Sequence, residues 1–204
     1  VISHPVHEKV KDYIKYVIFN PAHPQEFATT GKKRILFWTW ENEAQGYEFY
    51  GPSYSDRKAD FTQTVFIPNS SQAVTGTTDG HIVVWDISLI MEDYSQPEER
   101  RKIKVVNLMN TGNKSETASK KPVPAINILK IQGNYLVVGS SNGSIRFYDF
   151  QYTIVAWFED IGIGNITSIS FSRRSPAYGK SIDEDHSKSS FDCPDFIIVD
   201  SECT

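Results

Sequence analysis

The chain has 204 residues, 39% of them hydrophobic and 13% aromatic, enough apolar material to bury a core and to exclude a wholly disordered chain. Its 21 Lys and Arg stand against 25 Asp and Glu, a formal charge of -4, so no overall positive field exists to hold a nucleic-acid backbone. The apolar runs, such as Tyr135 to Gly139, are far shorter than the roughly 20 residues that span a bilayer, and the start at Val1-Ile2-Ser3-His4-Pro5 carries no secretory pattern.

In chain order the residues fall into similar units. The first, over 13–50, opens with Tyr16-Val17-Ile18-Phe19 before Asn20-Pro21. Two β-rich runs follow from Phe27 to Trp38 around Lys32-Lys33, and Tyr47-Glu48-Phe49-Tyr50 forms a fourth strand. The second unit, over 62–108, has Thr64-Val65-Phe66-Ile67 before Pro68-Asn69, then Ala73 to Asp86 around Asp79-Gly80. Asp-Gly is a strong short hairpin signal because both residues tolerate positive φ. Its fourth strand is expected at Lys102 to Leu108, beyond a mixed-charge insertion over 88–101.

The third unit, over 125–158, repeats the pattern with Ile126 to Ile131, a hairpin from Val137 to Asp149 around Asn142-Gly143, and a last strand from Thr153 to Phe158. Tyr148 stands where Trp85 and Trp38 end the matching runs. A fourth unit, over 166–200, starts at Ile166 to Phe171 and resumes at Phe196 to Val199 after a polar insertion over 172–194. That insertion, and an Asn-, Thr-, Ser- and Lys-rich one over 109–124, read as solvated loops. The repeat predicts an all-β chain of three complete four-stranded units plus part of a fourth.

Val74 to Asp86 resembles the WD-repeat pattern, in which a Ser-Gly-Ser-like run leads to Asp-Gly and then to Trp-Asp. The resemblance implies a WD40-type β-propeller, here a partial ring across 1–204, because a ring needs roughly 4 to 8 blades of about 40 residues each. A longer native polypeptide is therefore expected. The resemblance also implies a hydrogen-bonded blade network, with Thr75 or Thr77, Asp79 and Trp85 in the second unit. Ser140, Asn142 and Tyr148 hold the matching places in the third unit, and Trp38 in the first. No Gly-His pair stands ahead of any unit, so the family's four-residue network is expected to be partial. Within that family, the run Asn20-Pro21 to Lys32 is similar to axonemal and microtubule-associated propellers. The likeness is to the cilia- and flagella-associated group, particularly the WD-repeat subunit of the calmodulin- and spoke-associated complex.

Asp183-Glu184-Asp185-His186-Ser187 begins like a calcium loop, but Lys188 replaces the turn Gly and Pro194 the bidentate Glu. Gly162-Ile163-Gly164 has Thr167 in place of the third glycine and opens a strand, which fits a turn rather than a dinucleotide site. Lys32-Lys33-Arg34 reads as a solvated tip, with contact to an acidic partner such as tubulin as the sharper alternative. Ser175, after Arg173-Arg174 and before Pro176, has the form of a kinase target. Histidines at 4, 7, 23, 81 and 186 accompany no nucleophile elbow. Cys193 and Cys203 lack metal-ligand spacing and read as reduced thiols of a cytosolic protein.

These readings point to a non-catalytic scaffold without metal or cofactor, whose partners are other proteins of a multi-subunit complex rather than nucleic acid or membrane. The axonemal likeness implies an axonemal or tubulin-associated assembly. A phosphopeptide- or ubiquitin-recognition propeller, which would need Arg or Lys clustered on one face, and a propeller hydrolase, which would need carboxylates converging on a central pocket, stay open as alternatives.

Overall fold

The computed structural model describes residues 12–42, 45–50, 59–87, 102–108, 123–172, 191 and 193–202. Among these, all regular structure is β. The first sheet holds β1 (Tyr16–Phe19), β2 (Glu26–Thr30), β3 (Ile35–Glu41) and β4 (Gly46–Tyr50). The second holds β5 (Phe61–Phe66), β6 (Gln72–Thr77), β7 (His81–Asp86) and β8 (Lys102–Asn107). The third holds β9 (Ile126–Gln132), β10 (Tyr135–Ser140), β11 (Ile145–Tyr148) and β12 (Ile154–Phe158). A two-stranded fourth sheet pairs β13 (Ile166–Phe171) with β14 (Phe196–Asp200). Strands pair antiparallel in sequence order within every sheet, and none of the sheets closes into a barrel.

The period-2 alternation of strand side chains decides how the sheets stack. In the second sheet Ala73, Val83 and Trp85 pack with Ala28, Ile35 and Phe37 of the first. Their neighbours Val74, Ile82 and Val84 turn the other way and pack with Ile126, Leu129, Leu136 and Val138 of the third. The third sheet's opposite residues, Val137, Ile145 and Phe147, meet Ile166 and Ile169 of the fourth. A sheet covered on both faces buries both sides of its inner strands, so β6 and β10 are buried almost end to end while β12 alternates. Each fully buried Ile, Leu or Phe contributes roughly 1.5–3 kcal/mol. The opening strands β1, β5, β9 and β13 lie next to one another in turn. Side-chain amides cross two of the joints: Gln63 Oε1 accepts the Leu129 N–H at 2.9 Å, and Asn127 Nδ2 donates to the Ile166 carbonyl at 3.0 Å.

The tight turns follow their residues. Gly80 and Gly143 have φ of 76° and 81°, the left-handed region that glycine enters without a Cβ clash. The Lys32-Lys33 turn has no such pair and is held from outside. The Asp12 carboxylate accepts the backbone N–H groups of Lys32, Lys33 and Arg34 at 2.9, 2.9 and 3.1 Å. A Cβ on Gly31 would stand 2.3 Å from Asp12 Oδ2, so the glycine makes room for this cap. Asp12→Ala is expected to lower stability by about 1–2 kcal/mol, read from the urea midpoint, because three N–H groups lose an ionised acceptor and only water replaces it. A midpoint unchanged from the native one would show that the cap contributes nothing.

The charges of the Lys32-Lys33 tip lie beside a carboxylate of the next sheet. Lys33 forms a close ion pair with Asp60, and Lys32 Nζ lies 3.9 Å from the same carboxylate. The hydrogen bond from Lys33, with the charges of Lys33, Lys32 and Lys15, holds the Asp60 carboxyl below its ordinary value against the opposing effect of burial. Asp12 on the backbone and Asp60 on the side chains offset two of the three charges of Lys32, Lys33 and Arg34, and both lysine side chains stay more than half exposed.

Candidate partner-binding surface

The residues expected to form a hydrogen-bonded network are brought together in one sheet and dispersed in another. Trp85 Nε1 donates to Thr75 Oγ1 at 2.9 Å. That hydroxyl lies 2.8 Å from Thr64 Oγ1, which lies 2.7 Å from Thr30 Oγ1 in the neighbouring sheet. All three threonines are 0% exposed, so the chain of hydroxyls runs through dry core from β7 to β2. At the turn, the Thr77 hydroxyl donates to Asp79 Oδ1 at 2.5 Å and accepts the His81 N–H at 3.0 Å. His81 Nδ1 stands 3.2 Å from Asp79 Oδ1, so a histidine set aside in the sequence sits against the acid. In the first sheet Trp38 Nε1 reaches Thr29 Oγ1 at 3.0 Å, repeating the Trp85 bond.

The third sheet departs from this arrangement. Tyr148 occupies the anchor position, but its hydroxyl donates to the Leu108 carbonyl of the second sheet at 2.8 Å. Burial raises its pKa above the ordinary tyrosine value. Asn142 Oδ1 accepts from the Ser144 hydroxyl at 2.8 Å, while the buried Ser140 hydroxyl has no partner among the described residues. The reason is local: the residue two past Tyr148's cross-strand partner Leu136 is Val138, where Thr29 and Thr75 stand in the other sheets. Thr29, Thr30 and Thr64 were missed from sequence because their role depends on register and on the neighbouring sheet.

These groups hold sheets together, and the exposed chemistry lies elsewhere. The face of the first sheet turned away from the second carries Phe19, Phe27, Trp38 and Phe49, which are direct cross-strand partners across all four strands. Their ring centroids are 5.4, 5.5 and 5.1 Å apart in succession, with Phe27 and Trp38 stacked at 7°. Trp40 and Tyr47 extend the face with an edge contact at 5.1 Å. Phe19 is 58% exposed, so the row ends in solvent. Aromatic side chains supply contact area at low conformational cost and are common anchors of protein interfaces.

A second feature lies where the opening strands converge. A cleft of about 250 Å³ is bounded by Tyr16, Phe19 and Pro21 on one side, Pro68 on another, and Lys130 and Ile131 of β9. Burial raises the Tyr16 pKa. Lys130 and Ile131 also border a wider cleft of about 700 Å³ towards Phe171 and Pro194.

Among the described residues no group of three His, Cys, Asp or Glu could hold a metal ion, and no helix is long and apolar enough to cross a membrane. Ser175, the acidic run at 183–187, His4, His7, Cys203 and the insertion 88–101 lie outside the described residues, as does most of 109–124 and 172–194.

Comparison with known proteins gives the family. The model of the CFAP251 N-terminal domain matches residues 1–204. Cilia- and flagella-associated protein 251 of Tetrahymena thermophila is 52% identical over 214 residues, covering 100% of this chain and 21% of its own length. The protein of the same name from Chlamydomonas reinhardtii is 33% identical over 187 residues, covering 89% of this chain and 21% of its own length. That from Mus musculus is 25% identical over 170 residues, covering 79% of this chain and 12% of its own length. The chain thus spans about a fifth of the length of the first two. These findings overturn the assignment to the WD-repeat family. The pattern behind it is complete only from Ala73 to Asp86, where a tight turn and a buried Trp satisfy local demands that do not define a family. The relatives are cilia- and flagella-associated proteins, and the cilium or flagellum is this chain's location. With the family model matched from the first residue to the last, the chain belongs to the CFAP251 N-terminal domain family.

Proposed function

We propose that this domain is a non-catalytic docking scaffold within a multi-subunit axonemal assembly, in which the rigid stack of sheets presents the aromatic face of the first sheet to a protein partner. The observation that carries this is the row Phe19, Phe27, Trp38 and Phe49, four ring-bearing residues in register on a face turned away from the neighbouring sheet. The opposite face of the same sheet is buried with Phe61, Phe66 and Trp85, so the two faces have different tasks. Partners of the axoneme or of tubulin fit the family's ciliary setting.

The test is retention on demembranated axonemes of full-length protein carrying Trp40→Asp and Phe49→Asp, which place two charges on the aromatic face. Retention is expected to fall at least tenfold while the melting temperature stays within a few degrees, since a few aromatic anchors supply most of an interface's energy. Retention equal to that of the native protein would exclude this face as the docking site.

A further inference from the structure

We propose that the protein docked on the aromatic face is acidic at one end: its apolar side chains lie against Val17 and Phe19, and its Glu or Asp residues lie on Lys15 and Arg34. The charge assigned to the partner rests on the reading of that face as the docking surface. β1 is the edge strand of the first sheet, and its exposed side chains recur at every second residue. Val17 and Phe19 are 51% and 58% exposed, while Tyr16 and Ile18 between them are half-buried. The same alternation puts exposed Lys15 in line with Val17 and Phe19, with its N–H donated to the Thr30 carbonyl at 2.8 Å. On β3 the alternation runs back from Trp38 through Leu36 to Arg34, whose carbonyl accepts the Gly31 N–H at 2.9 Å. Lys15 and Arg34 thus flank Gly31 at one end of the face.

The charges at that end do not cancel. The Asp12 oxygens accept backbone N–H groups, and Asp60 takes Lys32 and Lys33. Among the described residues no carboxylate lies within 4.0 Å of the Lys15 ammonium or the Arg34 guanidinium. Lys15, Lys32, Lys33 and Arg34 therefore face two carboxylates, an excess of two positive charges in a chain whose formal charge is -4. The side chains that continue the face, Val17, Phe19, Phe27, Leu36, Trp38 and Phe49, carry no charge. A surface that is positive at one end and apolar beyond it selects a partner with the opposite charge in the matching place. With a strand rise of about 3.3 Å per residue, Lys15 and Phe19 stand roughly 13 Å apart, which sets the separation of acidic and apolar groups in the partner. Anionic membranes also attract basic and apolar groups together, but they are held by clusters of about 4–8 Lys or Arg. An excess of two favours a protein.

The test uses full-length protein and a fluorescein-labelled dodecapeptide with Glu residues at one end and Leu and Phe towards the other, followed by anisotropy. Matched peptides carry Gln or Lys in place of Glu, and vesicles of phosphatidylserine and phosphatidylcholine are tested by co-sedimentation. The native protein is expected to bind the Glu peptide about tenfold more tightly than the Gln peptide, the scale that two exposed ion pairs supply, and the Lys peptide least. Raising salt from about 0.1 to 1 M should remove most of that preference. Lys15→Gln with Arg34→Gln should abolish it and leave affinity for the Gln peptide unchanged, whereas Lys130→Gln, which removes a charge from the third sheet, should leave it intact. Val17→Ser with Phe19→Ser should weaken both peptides alike. Equal affinity for Glu and Gln peptides, a preference that survives in the Lys15 and Arg34 variant, or binding to the vesicles in place of the peptide would each overturn the proposal. Loss of axoneme retention in Trp40→Asp with Phe49→Asp, alongside equal affinity for the two peptides, would remove the acidic partner and keep the docking face. Unchanged retention in that variant would remove both.

Discussion

Replacing Trp85 by Ala is expected to reduce the unfolding free energy by about 3–5 kcal/mol, the usual range for deleting a large aromatic from a core that cannot collapse around the void. The site supports the upper half of that range. Trp85 is 0% exposed and packs edge-on against Phe37 and Phe61 at 6.4 and 6.2 Å, so its loss removes contacts in both joined sheets. Trp85→Phe separates two contributions. It keeps most of the volume but withdraws the N–H from Thr75, whose hydroxyl retains its contact with Thr64. A cost of roughly 1–2 kcal/mol is expected for Phe, about that of one buried hydrogen bond with slight loss of packing. Urea unfolding followed by far-UV circular dichroism measures both. A cost under 1 kcal/mol for the Ala variant would show that this joint is loosely packed.

Gly143→Ala should be the next most damaging single change, at about 2–4 kcal/mol. Its φ of 81° costs an L-residue roughly 1–2 kcal/mol wherever it occurs. Its position adds a collision, since a Cβ would lie 2.0 Å from the Ile163 carbonyl oxygen and 2.9 Å from the carbonyl carbon. Both obstacles are backbone, so relief requires moving the segment that leads into β13 rather than rotating a side chain. Gly133 is the internal comparison, with φ of 57° and nothing within 4 Å of the added atom. Gly133→Ala isolates the conformational cost, and the difference between the two melting curves reports the collision. Equal losses would show that the Ile163 segment yields freely.

The strand order was legible because its signals are local. Asp79-Gly80 and Asn142-Gly143 mark turns whose glycines do adopt positive φ, and the apolar runs beside them become β6, β7, β10 and β11. The same local clarity misled the family assignment, because a Thr-, Asp- and Trp-bearing hairpin satisfies its own turn and core wherever it occurs. What remained hidden depends on distance in sequence. Asp12 caps a turn 20 or more residues away, and Thr30 meets Thr64 across a sheet joint. Phe19, Phe27, Trp38 and Phe49 look like four separate strand aromatics until the register of three ladders places them on one line.

The threonine hydroxyls linking Trp85 to Thr30 bear on how the domain withstands load. Sliding the first sheet past the second would separate Thr30 from Thr64 while both remain shielded from water, leaving polar groups bare at the moment of greatest strain. That joint therefore resists shear through directional bonds as well as through apolar contact. In an organelle that bends with every beat, the first two sheets are expected to yield together, as one mechanical element, rather than peel apart one at a time.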